Sequence, residues 1–304
     1  NISFSKDKAL LSSKHSIIEG CQDYISEPIN QKTLTKVRKI LSYLNDIRGT
    51  LNLLVQNQTL DDVSLFEIKQ FSIACYKIKS LLFDISNHIS KANSNELTLP
   101  DLNKVISILD PEGLLLSQFY IYNAYSKELT EKRKEWEKAK KENIEEKAFK
   151  LYLETQDIED KIREKLSLEL KDYVEDLKTA IRIIGQIDIY FAMAEYFIKN
   201  NYTKPQFSKT NNISYKQLSY PPLSHRLGKE NKHYQPINIS LSTKPCLVTG
   251  ANMAGKTILL KSLWLSQYLI QFGFFVPAQK ASIVLVEDIL TSIGDHQNEH
   301  EGLS

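Results

Sequence analysis

The sequence predicts a mixed fold: an all-α part with long antiparallel helices, followed by part of an α/β domain. Three observations lead to this prediction. Apolar residues recur at helical spacing before position 113, residues 114–184 contain neither glycine nor proline, and a glycine-bounded loop at 250–257 joins an apolar run to an amphipathic segment. The predicted domains are a helical core at 1–113, long lever or clamp helices at 114–200, and the N-terminal part of an α/β domain at 201–304.

Helices are predicted near the N-terminus because apolar side chains repeat there every three or four positions. A polar break at 56–62 separates two groups of them, and Asp-Pro-Glu-Gly at 110–113 predicts a turn after the second. The first group contains Val37, Ile40, Leu41, Leu44, Ile47 and Leu51. The second contains Leu65, Ile68, Phe71, Ile73, Tyr76 and Leu81.

The stretch without glycine or proline is rich in charge, with sixteen acidic and fourteen basic residues within 126–180. It predicts two long antiparallel helices, at 114–140 and 152–198, that reverse at 141–151. An apolar seam of the second helix contains Ile158, Ile162, Leu166, Leu170, Tyr173, Leu177, Ile181 and Ile184. Two interpretations stay open: a solvated coiled coil without a ligand, or a signalling lever. In the second, basic residues near the reversal would contact DNA phosphates, although acidic neighbours oppose such contacts.

Residues 250–257 read Gly-Ala-Asn-Met-Ala-Gly-Lys-Thr and fit the phosphate-binding pattern G-x-x-x-x-G-K-S/T. Glycines at both ends let the backbone curl around an anion and direct its N–H groups at phosphates. The apolar run 245–249 predicts a buried strand before the loop, and 258–272 predicts a helix after it. Together these segments predict nucleotide binding. The alternative is a structural glycine turn with an exposed lysine.

ATP with Mg²⁺ is the predicted ligand. Lys256 would reach the outer phosphates and stabilise their developing charge, which makes it the predicted catalytic residue, and the Thr257 hydroxyl would bind the metal. Tyr234 is predicted to stack on adenine, the alternative being a packed tyrosine before a strand at 237–241. The predicted nucleotide-binding residues are Gly250, Ala251, Asn252, Met253, Ala254, Gly255, Lys256, Thr257 and Tyr234.

The composition is that of an ordinary globular chain, with 304 residues, 42% of them hydrophobic and 25% charged, and a formal net charge of +2. Cys21, Cys75 and Cys246 lie far apart, which argues against a zinc ribbon or a disulfide scaffold and favours a reducing cytoplasm. No run of about 18 apolar residues predicts a membrane span. The chain begins with Asn rather than Met, so we expect a piece of a longer product.

Three segments carry a further pattern: Thr-Gly-Ala-Asn-Met-Ala-Gly-Lys-Thr at 249–257, Phe-Phe-Val-Pro-Ala-Gln-Lys-Ala at 274–281, and Val-Glu-Asp-Ile-Leu-Thr-Ser-Ile-Gly at 286–294. They resemble T-G-P-N-M-G-G-K-S-T, G-x-x-V-P-A and D-R-I-F-T-R-I-G of the ATPase domain of MutS-type DNA mismatch-repair proteins. Residues 187–195 are similar to the end of that family's lever helices. The loop departs from the family at Ala251 and Ala254, where Pro and Gly are usual.

The resemblance implies an ABC-like P-loop ATPase domain behind the helical core and lever. It also implies that ATP binding is coupled to homodimerisation and to clamping of double-stranded or branched DNA in repair or recombination control. The family's mismatch-reading Phe-x-Glu has no counterpart in the sequence, so we expect either the branch that lacks that domain or an N-terminal truncation. The family's Walker B strand would follow Ser304, so we expect binding of ATP without its hydrolysis by this chain.

Three smaller patterns carry hypotheses of their own. Residues 284–288 fit a Walker B strand, although the family alignment places that strand elsewhere. His296 and His300 have a zinc-compatible spacing, against the alternative of a solvated polar turn. Ser304 matches the serine that MutS-like ATPases present to the partner's nucleotide. Two other functions also stay open: a chromosome-organising or transporter-type coiled-coil ATPase, and a helical scaffold with a vestigial loop.

Overall fold

The computed structural model describes residues 3–83, 85, 88, 97–115, 118–251 and 255–292. The chain divides into two compact units. The helical unit comprises residues 28–84 and 95–188, and the sheet unit comprises residues 1–27, 85–94 and 189–304. The division into functional domains at 1–113, 114–200 and 201–304 stays a prediction, because compactness alone does not assign a function.

The described residues are mostly helical with one small mixed sheet, which confirms the mixed fold class at that level. The α-helices are α1 (Lys8–Ser26), α2 (Gln31–Leu41), α3 (Arg48–Val55), α4 (Asp62–Leu81), α5 (Asn103–Leu109), α6 (Lys127–Lys141), α7 (Glu145–Lys171), α8 (Val174–Lys199), α9 (Pro221–Lys229) and α10 (Lys256–Gln271). The strands are β1 (Gln206–Phe207), β2 (Ile213–Leu218), β3 (Ile237–Leu241) and β4 (Lys280–Ile283).

The helical unit buries most of the apolar residues that the spacing predicted. Leu65 and Ile68 of α4 are fully buried, whereas Tyr76 is 52% exposed and lies outside the core. The helix begins at a side-chain cap, since Asp61 accepts a hydrogen bond from the Ser64 N–H at 2.8 Å. The predicted turn at 110–113 is confirmed by a hydrogen bond from the Gly113 N–H to the Asp110 carbonyl, at 2.9 Å.

The two long predicted helices have different bounds in the structure. The first begins at Lys127 rather than 114, because the Ser126 side chain accepts a hydrogen bond from the Leu129 N–H and caps the helix there. The second is two helices, α7 and α8, interrupted at 172–173. Carboxylates of Glu175 and Asp176 in the first turn of α8 favour a new helix N-terminus at this point.

The antiparallel arrangement of α6 and α7 is confirmed. Ion pairs join the two helices, with Lys132 on Glu154 at 2.7 Å and Arg133 on Glu159 at 2.6 Å. The connection is three residues long, at 142–144, inside the predicted reversal. Charge therefore stabilises the pair across the two helices as well as along each helix.

The sheet unit contains a four-stranded sheet in the order β1-β4-β2-β3. Strand β4 is parallel to β1 and antiparallel to β2, and β2 is antiparallel to β3. One face of the sheet is apolar, and its Tyr215, Ala281 and Ile283 belong to a buried cluster with Ile270 of α10. This packing holds α10, which follows the glycine loop, against the sheet. The predicted strand at 237–241 is confirmed as β3.

Candidate nucleotide-binding site

Helix α10 starts directly after the glycine loop, and Gly255 is its N-cap residue. The φ angle of Gly255 is +83°, in the left-handed region that side chains disfavour. Gly255 has no side chain with which to cap this end of the helix, and the helix terminus carries a partial positive charge. The backbone thus explains why the pattern needs glycine at this position, and the predicted helix after the loop is confirmed.

Lys256 places a positive charge at the same terminus. Its Nζ donates hydrogen bonds to the carbonyl oxygens of Gly250 at 2.9 Å and Ala251 at 2.6 Å. An ammonium group has three N–H donors, and these two hydrogen bonds to described residues use two of them. Thr257 follows as a half-buried residue in the first turn. This arrangement suits an anion, because the helix N-terminus and the lysine ammonium both attract negative charge.

The predicted buried strand at 245–249 is wrong. These residues are exposed and irregular, and Leu247 is 88% exposed. An apolar run becomes a strand only when another strand satisfies its backbone N–H and carbonyl groups. The described four-stranded sheet provides no pairing for residues 245–249.

Tyr234, the residue predicted to stack on adenine, is half-buried before β3. Its hydroxyl accepts a hydrogen bond from the Tyr220 N–H at 3.0 Å, at the start of α9. This contact is the one expected of a packed tyrosine. Stacking of its ring on a base stays a prediction, and so do the roles of Gly250, Ala251, Lys256 and Thr257.

Residues 284–288 do not form a strand in the structure, since β4 ends at Ile283. Two buried glutamines of α10 bind this segment instead. Gln267 donates to the Val284 carbonyl at 2.8 Å, and Gln271 exchanges two hydrogen bonds with the backbone of Val286, at 2.9 and 3.1 Å. Two glutamines four residues apart in an apolar helix were the sequence signal for this contact.

A cavity of about 460 Å³ lies beside α10. Its lining includes Leu260, Leu263 and Trp264 of the helix, Tyr215 of the sheet, and Asp288. This lining is largely apolar, in contrast to the charged terminus of α10.

Several predicted sites lie outside the described residues: Asn252, Met253, Ala254, His296, His300 and Ser304. Within the ranges that the structure describes, no group of three or more His, Cys, Asp and Glu side chains is arranged to hold a metal ion. Among the helices described, none is both long and apolar enough to cross a membrane.

A glycine that caps a 16-residue helix, followed at once by a lysine folded over the loop, is typical of phosphate-binding-loop proteins. The family model described as MutS domain V matches residues 246–304. This match includes the loop, α10 and β4.

Curated relatives agree with the family model. The protein named Endonuclease MutS2 of Pediococcus pentosaceus is 33% identical over 147 residues, which is 48% of this chain and 18% of the relative. The protein of the same name from Ligilactobacillus salivarius is 34% identical over 145 residues, 47% of this chain and 18% of the relative. DNA mismatch repair protein MutS of Thermus thermophilus is 34% identical over 120 residues, 40% of this chain and 14% of the relative.

The matched part of the chain thus spans less than a fifth of the length of each of these relatives. Family model and relatives together support a MutS-family protein, which confirms the resemblance found in the sequence.

Proposed function

We propose that residues 250–257 bind the phosphates of ATP, and that the chain is part of a MutS-like ATPase. The observation that carries this proposal is the position of the Lys256 ammonium, folded over the loop at the N-terminus of α10. Helix dipole, backbone N–H groups and lysine then act on the same anion. The match of MutS domain V to 246–304 supports the proposal.

Each predicted residue has a role in this proposal. Lys256 neutralises the outer phosphates, and the Thr257 hydroxyl binds Mg²⁺. Loop N–H groups from Gly250 to Gly255 surround the phosphates, and the Tyr234 ring covers the base. When bound, ATP supplies the phosphoanhydride bond that an ATPase of this family would hydrolyse. The residues of this chain hold and neutralise its charge.

The proposal is tested by the affinity of the chain for a fluorescent ATP analogue with Mg²⁺. A charged hydrogen bond contributes about 1.5–3 kcal/mol, so we expect Lys256→Ala to weaken binding by about 10- to 100-fold. Lys229→Ala is the matched control, because Lys229 is an exposed lysine at the end of α9. We expect native affinity for this control. Equal affinities for the native chain and Lys256→Ala would contradict the proposal.

We further propose that ATP binding promotes homodimerisation and changes how the long helices, α6 to α8, bind double-stranded or branched DNA in the cytoplasm. Support comes from the names of the relatives, of which one is a DNA mismatch repair protein and two are endonucleases. Sedimentation of the chain with labelled duplex, with and without an ATP analogue, tests this coupling. We expect a dimer and altered DNA affinity with the analogue, and no change for Lys256→Ala. If the analogue binds but changes neither the sedimenting mass of the chain nor its DNA affinity, the coupling is contradicted. That result would favour the alternative function, a different type of coiled-coil ATPase.

A further inference from the structure

The small sheet has a polar face opposite its apolar core. Because side chains alternate along a strand, Ser214 and Lys216 of β2 point away from the buried Tyr215. Ser282 of β4 pairs with Ser214 on one side and with Gln206 of β1 on the other, so these three polar side chains form a row across the sheet. A cavity of about 400 Å³ lies over this face.

Two lysines in this cavity oppose each other directly. Lys216 of β2 and Lys280 of β4 are cross-strand partners in an antiparallel pair. Side chains so placed have Cβ atoms about 4.5–5.5 Å apart, and like charges there are destabilising. Neither ammonium lies within 4.0 Å of a carboxylate that the structure describes. The sheet thus holds two positive charges together, and no anionic side chain of the described residues lies between them.

A third lysine also lines the cavity, but a carboxylate offsets its charge. The Lys204 ammonium forms an ion pair with Glu19 at 2.7 Å. The remaining polar lining includes the Ser214 and Ser282 hydroxyls and the Gln206 and Gln279 amides. All of these groups can donate hydrogen bonds, and the described lining contains no Asp or Glu.

We propose that this lysine cavity binds a phosphate group. A phosphate between Lys216 and Lys280 would replace their repulsion by two charge-assisted contacts, and the serine hydroxyls and glutamine amides would donate to its other oxygens. None of the residues that line the cavity belongs to the glycine loop, so this is a second anion site on the sheet unit. A free phosphate or nucleotide, or the backbone of DNA, presents the same chemistry.

The experiment uses the Lys256→Ala chain, so that the glycine loop does not account for the result. Thermal unfolding is followed against inorganic phosphate at constant ionic strength set with chloride. We expect the midpoint to rise with phosphate, and Lys280→Gln to weaken the apparent phosphate affinity about tenfold. Lys209→Gln, an exposed lysine outside the cavity, is the matched control and should behave as the parent. The proposal would be overturned if chloride raised the unfolding midpoint as much as phosphate does. It would also be overturned if phosphate raised the midpoint of Lys280→Gln as much as that of the parent.

A second measurement needs no phosphate. In chloride alone, Lys280→Gln should have a higher unfolding midpoint than the parent, because it removes the repulsion from Lys216. A lower midpoint would show that the two charges are not in conflict, and would count against the proposal.

Binding of a labelled DNA duplex shows whether the site takes the DNA backbone or a small phosphate compound. If Lys216→Gln with Lys280→Gln weakens duplex binding along with phosphate binding, the site takes the DNA backbone. If the double variant loses phosphate binding and keeps duplex binding, the site takes a small phosphate compound. If the double variant retains both, the proposal fails. Both side chains are exposed, and circular dichroism of each variant checks that it folds.

Discussion

The buried imidazole of His15 should make the stability of the sheet unit depend on pH. The side chain is 1% exposed and lies against the rings of Phe207 and Phe275, with centroid distances of 6.0 and 5.8 Å. Burial, and then the charge of Lys204, lowers the pKa of His15 from 6.5 to about 4. The folded chain therefore favours the neutral ring, and the unfolded chain binds more protons between these two pKa values.

The sign and size of the effect follow from this pKa difference. The stabilisation is fully present above pH 6.5 and decreases as the pH falls from 6.5 towards 4. Between about pH 7.5 and pH 5, linkage gives a loss of about 2 kcal/mol in the free energy of unfolding. Below the folded pKa the loss levels off at about 3 kcal/mol.

Urea unfolding of His15→Phe measures this contribution. The phenyl ring suits the aromatic surroundings and carries no titratable group. In a Trp136→Phe background, Trp264 of α10 reports on the sheet unit. We expect the free energy of unfolding to fall by about 2 kcal/mol more in the His15 chain than in His15→Phe over that pH range. His225→Phe, at an exposed position, should keep the pH dependence of the parent. Identical pH dependence of the His15 chain and His15→Phe would refute the reasoning.

Two further predictions concern a buried ion pair and the capping glycine. Lys69 and Asp110 have fully buried side chains, with Nζ and Oδ1 3.0 Å apart. Lys69→Met leaves the Asp110 charge unpaired, so it should lower the free energy of urea unfolding by about 3–5 kcal/mol. Adding Asp110→Leu to Lys69→Met should restore part of the lost free energy. A single variant of native stability would contradict this. Gly255→Ala puts a side chain at φ +83°, so it should lower the free energy of thermal unfolding by about 1 kcal/mol and weaken binding of the ATP analogue. Gly49→Ala in α3 is the control, because an added Cβ there meets no atom within 4 Å. We expect this control to be neutral or stabilising. Equal losses in the two glycine variants would argue against the backbone explanation.

The spacing of apolar residues correctly predicted helices, which need only one apolar face to pack. It failed to predict whether a segment forms a strand, because a strand also needs a neighbouring strand. Helices α4 and α10 follow directly from their repeats, because one apolar stripe is enough to bury a helix. Residues 245–249 are as apolar as a strand, yet they are exposed, because a strand also needs a neighbour for its backbone. Helix ends were missed at Ser126, where one side chain caps the helix, and at 172–173, where two carboxylates follow in the next turn.

The candidate site was predictable to the same extent. The spacing of Gly255, Lys256 and Thr257 indicated a loop at a helix N-terminus, and the structure shows that terminus. The contacts of Gln267 and Gln271 with 284–286 were not predicted, because they join segments whose proximity depends on the folded sheet. The lysine cavity was missed for the same reason, since Lys216 and Lys280 become neighbours only through strand register.

Binding of ATP phosphates at residues 250–257 is tested most directly by amide hydrogen exchange. The exchange of the native chain and of Lys256→Ala is compared with and without Mg²⁺ and a non-hydrolysable ATP analogue. We expect the analogue to slow exchange at 250–258 in the native chain, because loop and helix N–H groups would donate to phosphate oxygens, and to leave Lys256→Ala nearly unchanged. Unchanged exchange at 250–258, or slowing confined to the apolar cavity at 286–292, would contradict the proposed site.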